Sequence, residues 1–299
     1  MVAKISVAVW QDTILYDSFV VTSKVQVNEF IFLMRIILMS NNSNTSSYIN
    51  TDQDIFEKFK ERAMSDLDGA WNSVLVYIGD KLGLYKAMND AGKPITSQEL
   101  ANMTKTSERN IREWLANQAA GGYVVYDTHT QRYSLPSGNA LALVDENSSE
   151  YIIGGFKTAA SFYKDASKII EVFKTGSGLP WGEHDPDLYQ SVERFFRPSY
   201  RTNIASSWIP SLDNGRVQEK LKTESALVAD VGCGRGISTI FMAKAYPNSK
   251  FIGFDNHEDS IKKARGLARE EGLSEEQIKF ETSSSTNYPP FYHRRTICK

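Results

Sequence analysis

Three glycines and two acids between residues 230 and 255 stand at spacings that suit a ligand. Asp230-Val-Gly232-Cys233-Gly234-Arg-Gly236 follows a short apolar run, Ser225 to Val231, and leads into the helix-like segment Ile237 to Ala245. Glycines let a chain turn tightly and bring its backbone close to a ligand, with no Cβ in the way. A second apolar run, Lys250 to Asp255, ends in an acid 19 residues after Gly236. A carboxylate at such a strand tip is placed to accept both hydroxyls of a ribose. Asn256 and His257 come next, and His257 is expected as a packing or ligand-side residue more than as a base. Cys233 reads as loop filler, not as a nucleophile. With Cys298 as its one companion, it offers neither a disulfide framework nor a cysteine-based metal cluster, and no metal site is expected.

Strand, glycine loop and helix together make the cofactor-binding turn of a Rossmann-like βαβ unit. Helix Ser260 to Glu271 and strand Gln277 to Thr282 extend it to a β-α-β-α-β series. Nicotinamide and flavin sites use G-x-G-x-x-G, but the sixth position from Gly232 is Ile237. The pattern Asp230-x-Gly232-x-Gly234-x-Gly236, with Asp255 behind it, resembles motif I and the next motif of the class I S-adenosylmethionine-dependent methyltransferases. The resemblance implies S-adenosyl-L-methionine as cofactor. It places Gly232, Cys233, Gly234 and Gly236 against the methionine part, Asp230 near the positive charges, Asp255 on the ribose, and Asn256 and His257 near the adenine. Ser283-Ser-Ser-Thr286 departs from the family pattern, in which many members carry an acid here. No catalytic residue is assigned, because in that family the base normally comes from beyond the fourth strand.

The elements upstream read as a winged helix. A helical pattern begins near Asp52, and Trp71 to Asn89 places Val74, Tyr77, Ile78, Leu82, Tyr85 and Met88 largely on one helical face, with Gly79 and Gly83 as weak points. Thr96-Ser-Gln-Glu99 is a capping box. A further helix, with Ile111, Trp114, Leu115 and Ala119 at helical spacing, stops at Gly121-Gly122. Tyr123 to Tyr126 and Arg132 to Leu135, around a polar turn, read as a hairpin. Residues 151 to 215 follow as two helical segments rich in aromatics (among them Phe162, Tyr163, Trp181, Tyr189, Phe195, Phe196, Tyr200 and Trp208) that suit either a substrate pocket or helix packing. A winged helix, an aromatic helical connector and a methyltransferase domain in this order resemble the small-molecule O-methyltransferases. The resemblance implies a small-molecule methyl acceptor and a homodimer built through the front domain.

The expected fold class is therefore α/β: a Rossmann-like methyltransferase domain, with three of the usual seven strands, behind a mainly helical winged-helix domain. Its expected divisions are a poorly ordered extension (1–50), the winged helix (51–148), the connector (149–218) and a partial cofactor-binding domain (219–299). Residues 1–38 show no partner or turn chemistry, and the segment after Tyr288 shows no strand or helix period, so the sheet is expected to leave the glycine loop on an open edge. On that expectation the crevice lacks one wall, cofactor binding is weak or absent, and methyl transfer does not occur.

With 34 basic and 36 acidic residues and a net charge of -2, the composition argues against a broad nucleic-acid or anionic-membrane surface. Neither a spanning segment nor a secretory signal is recognisable, and a cytoplasmic location is expected. Two other functions stay open: a dimerising binding protein without catalysis, and a winged-helix DNA-binding regulator. The charges around the helix after Ser107 (Lys105, Glu108, Arg109, Arg112, Glu113) are too mixed for an ordinary groove reader.

Overall fold

The computed structural model describes residues 51–284 and 296–298. The readings made on residues 1–50 and on the segment from 285 to 295 lie outside the described residues. Two compact units divide between Lys164 and Asp165.

The first unit opens with α1 (Asp52–Lys81), whose N-cap Thr51 accepts a hydrogen bond from the Asp54 N–H. Leu82 and Gly83 end it, Gly83 taking a left-handed φ of 66°, and α2 (Leu84–Ala91) begins at once. α3 (Ser97–Thr104) starts at the capping box formed by Thr96 and Glu99. Arg132 then donates to the Glu99 carboxylate at 2.8 Å, tying the hairpin to this helix start. α4 (Glu108–Ala120) follows, and β1 (Val125–Asp127) pairs antiparallel with β2 (Arg132–Ser134). A short α5 (Ser137–Leu143), not anticipated from sequence, follows the hairpin. Leu84, Tyr85, Met88, Leu100, Ile111, Trp114 and Leu115 form the core between these helices. Gln118 is fully buried there: its Oε1 accepts from the Tyr85 hydroxyl at 2.5 Å, and its Nε2 donates to Asn72 and Asn117.

The face expected on α1 is corrected in part. Tyr85 and Met88 are buried, but Val74, Ile78 and Leu82 are 55, 37 and 49% exposed. The break at Gly83 changes the helical phase, so α2 buries its own apolar stripe while that of α1 continues along an exposed line through Phe56, Phe59, Leu67, Trp71, Val74, Ile78 and Leu82.

α6 (Ile153–Thr175) leads from the first unit into the second. After a short turn of 3-10 helix come α7 (Asp187–Asn203), a π-helical turn over Ile204–Trp208 and α8 (Arg216–Thr223). The α/β part is β3 (Leu227–Val231), α9 (Ile237–Ala245), β4 (Lys250–Asp255), α10 (Glu258–Glu270) and β5 (Ile278–Thr282). These strands are parallel and lie side by side in sequence order, each joined to the next through a helix. One sheet face packs Val228, Phe251, Ile278 and Phe280 against Ile237, Ile240, Ile261 and Ala264 of the two helices. Ala229, Ile252 and Phe254 lie on the other.

The expected three-stranded sheet with an open edge is corrected. Thr296–Cys298 forms β6, parallel to β3 and on its far side, with Leu227 opposite Thr296 and Ala229 opposite Cys298. The strand order is β5-β4-β3-β6, so the chain reverses direction across the sheet between β3 and β6. A three-residue strand is too short for period-2 patterning to show, and its hydrogen bonding to β3 is what defines it. Among the described residues no helix is long and apolar enough to cross a membrane.

Tyr85→Phe removes the hydroxyl that serves Gln118 and leaves a buried amide oxygen unsatisfied. The expected loss is about 1–3 kcal/mol of unfolding free energy in a urea titration; an unchanged midpoint would show that this network contributes nothing.

Candidate functional site

The crevice at the carboxyl ends of β3 and β6 is a topological switch point, where open α/β sheets place their ligands. The glycine loop leaves β3 into that position. Gly232, Gly234 and Gly236 have φ of 79, 55 and 77°, in the left-handed region where residues with a Cβ are strained. The Gly232 and Cys233 N–H groups both donate to the Phe254 carbonyl, at 2.7 and 3.0 Å, and the Gly236 N–H donates to the Cys233 carbonyl. A Cβ on Gly236 would lie 2.6 Å from the Phe280 ring and 2.9 Å from Ala264 Cβ, whereas one on Gly232 or Gly234 would meet nothing within 4 Å. Gly236 is thus required by packing, and the other two border open space.

Asp255, at the tip of β4, is partly buried and latches the loop. Its Oδ2 accepts from the Gly234 N–H at 2.8 Å and its Oδ1 from the His257 N–H at 2.9 Å. The two acids expected in the site do different work. Asp230 is 1% exposed, and its Oδ2 accepts from the hydroxyls of Ser238 and Thr239 at 3.0 and 2.7 Å. It holds a negative charge at the N-terminal end of α9, where the helix dipole favours one. Ser238 and Thr239 were not singled out from sequence, although hydroxyls in the first turn of a helix after a buried acid are a readable signal.

Cys233 turns its side chain into the core, and a Cβ on Gly253 would approach its sulfur at 2.8 Å. Burial pushes the thiol's pKa well up, and the charges of Asp230 and Asp255 push it further. Asn256 is exposed. His257 caps α10 and pairs its Nδ1 with the Ser260 hydroxyl at 2.8 Å. Its ring lies 4.6 Å from that of Tyr189, which stands 5.5 Å from Trp181. The Tyr189 hydroxyl is held by the carbonyls of Trp181 and His184. Of the other connector aromatics, Tyr163 is 71% exposed, while Tyr200 and Trp208 pack on the core of the α/β part. Burial, then the charge of Asp230, raises the Tyr200 pKa. Ser283 donates its N–H to the Asp255 carbonyl, and Thr286 lies outside the described residues. Among the described residues no group of three metal-ligating side chains exists.

Sequence reasoning missed the charged contact on the loop. Arg235, between Gly234 and Gly236, sets its Nε 2.9 Å from Glu193 Oε2 on α7, off the line of a straight hydrogen bond. Arg197 pairs with the other oxygen of the same carboxylate.

Comparison with known proteins agrees with the architecture. Residues 70–144 match a family model described as a Rv2258c-like winged HTH domain, and residues 222–293 match one described as a methyltransferase domain. Solved structures of similar fold include PigF with SAH (TM-score 0.58, 15% identity, covering 77% of this chain and 68% of that one). The mitomycin 7-O-methyltransferase MmcR matches with a TM-score of 0.56 and 18% identity over 78% of this chain and 68% of its own. A Nostoc punctiforme protein described as a putative O-methyltransferase matches with a TM-score of 0.56 and 17% identity over 75% of this chain and 65% of its own. Among curated proteins, a trans-aconitate 2-methyltransferase from Afipia carboxidovorans is 41% identical over 44 residues, 15% of this chain and 17% of that protein. The match thus spans well under two thirds of that relative. The two matched segments thus stand in the order winged helix, then methyltransferase domain, and the solved structures share the fold.

Gly236→Ala combines left-handed strain with a clash against Phe280, and Gly232→Ala carries the strain alone. The expected costs are about 2–4 kcal/mol for the first and about 1–2 kcal/mol for the second, read from chemical denaturation. Equal losses would show that packing at Gly236 is not what the glycine serves.

Proposed function

We propose that this chain, with a winged-helix domain in front of a methyltransferase domain, binds S-adenosyl-L-methionine in the crevice of β3 and β6 and serves transfer of its methyl group to a small-molecule acceptor. The observation that carries this reading is the Asp255 carboxylate bridging the glycine loop and the His257 turn. Each oxygen uses one lone pair there and keeps another, so the pair of ribose hydroxyls fits the acceptors that remain. Gly232 and Gly234 leave open space beside the loop for the methionine part. Asn256 and His257, directly after the acid, are proposed for the adenine side, and Gly236 and Asp230 for shaping the turn beneath the ligand. Cys233 contributes its backbone only, since its side chain faces the core. Bound S-adenosylmethionine supplies an electrophilic methyl group. The chain's residues bind and orient it, and for an in-line displacement that positioning supplies much of the rate.

The partner proposed for the front domain is a second copy of this chain. α1 is 30 residues, about 45 Å long, and carries Phe56, Phe59, Met64, Leu67 and Trp71 at 46–68% exposure. A helix this exposed needs an apolar partner, and a stripe of this length exceeds scattered surface residues. The basic residues of α4 face acids on the same helix, Arg109 with Glu113 and Arg112 with Glu108, which supports a structural use of the winged helix over groove reading. A cytoplasmic location is proposed with the free, buried Cys233.

Isothermal titration with S-adenosylhomocysteine is expected to show one site per chain, with Asp255→Ala weakening it about 10–100-fold; no binding by the unaltered chain overturns the reading. In sedimentation equilibrium the chain is expected as a dimer and the double variant Phe59→Glu, Trp71→Glu as a monomer, while a dimer insensitive to both changes sinks the α1 interface.

A further inference from the structure

We infer that Glu193 is a positioning residue for the cofactor crevice: its carboxylate holds Arg235 of the glycine loop and Arg197 of its own helix, and so fixes the loop against α7. The inference rests on the reading of the crevice as a cofactor site and adds to it a part that lies outside the glycine motif.

Two residues of α7 reach the turns after β3 and β4 at helical spacing. Tyr189 meets the His257 ring at 4.6 Å and Glu193 meets Arg235 at 2.9 Å. A step of four residues puts them on one face of the helix. α7 therefore follows the carboxyl ends of β3 and β4, touching the turn after each strand. Of the two contacts, the one at Arg235 bears on the loop itself. Arg235 has a glycine on each side, Gly234 giving its N–H to Asp255 and Gly236 starting α9. Glycines leave such a segment the widest backbone freedom, and a fixed side chain between them restricts it.

The burial of the group argues against an incidental ion pair. The side chains of Glu193, Arg235 and Arg197 are 9, 16 and 21% exposed. Two arginines on one carboxylate cannot be neutralised by losing protons, because guanidinium stays charged in proteins. A buried triad of this kind is often replaceable by apolar residues without loss of stability, so stability alone does not account for it. What it supplies is position: one carboxylate, with one oxygen for each arginine, draws the loop to the helix by charge.

The test uses the ligand-free chain first. In Glu193→Gln, the amides of Gly232, Cys233, Gly234 and Gly236 are expected to exchange at least about tenfold faster by NMR, and the Kd for S-adenosylhomocysteine to rise about tenfold or more. Arg235→Met leaves Glu193 paired with Arg197, so it stands in if Glu193→Gln does not fold, with the same expected result. Arg235→Lys, which keeps the charge, retains protection and affinity within about threefold, and Lys86→Ala, at an exposed pair, changes neither. Unaltered exchange in both Glu193→Gln and Arg235→Met overturns the inference, even where S-adenosylhomocysteine still binds. Faster exchange in a chain that binds no S-adenosylhomocysteine upholds the lock and sinks the cofactor reading instead.

Discussion

A turn that must place residues 232, 234 and 236 in left-handed backbone is the constraint around which the second unit is organised. Such a turn has little intrinsic preference for one geometry, since glycine gains freedom in the unfolded chain as easily as it accepts strain in the folded one. The fold holds it from outside. The carbonyl of Phe254 takes two N–H groups, the Asp255 carboxylate takes a third and bridges to the next turn, and Phe280 and Ala264 close the space under Gly236. β4 and β5 are therefore as much a part of the loop as the glycines are. Gly253 is explained the same way: its missing Cβ is the room occupied by Cys233 and Phe280.

The division of labour between the two acids follows from depth. Asp230 lies next to last in an inner strand, is almost fully buried, and spends an oxygen on the hydroxyls at the start of α9. A buried carboxylate without such donors would be costly, so Ser238 and Thr239 are conditions of its presence. Asp255 stands one strand further out with part of its surface open, and its partners are backbone amides, which leave acceptor capacity on both oxygens. The inner acid shapes the turn, and the outer acid can do so and still meet a ligand.

Much of this was legible because it is local in sequence. The capping box at Thr96, the stop at Gly121, the hairpin from Val125 to Ser134 and the strands and helices from Leu227 to Thr282 all lie within a residue or two of where periodicity and turn chemistry put them. What failed was non-local. Val74, Ile78 and Leu82 have the right spacing for a core face, but spacing does not say whether a face meets the same chain or another. β6 is three residues long and exists through its pairing with β3. Arg235 and Glu193 are 42 positions apart (235 − 193), and no local pattern links an arginine in a glycine loop to a glutamate on an earlier helix.

The winged helix is the place where fold and function part company. Its arginines are engaged within the unit, Arg132 with Glu99 and those of α4 with glutamates one turn away, although exposed pairs of this kind add little stability. Neutralised surface charge removes the long-range attraction on which binding to a phosphate backbone depends. Apolar surface is what this unit has in excess, concentrated along α1, and water penalises it whatever the salt concentration. A fold used for its charges and a fold used for its apolar edge can share every helix; what differs is the side chains, which here are apolar and exposed along α1 and paired along α4.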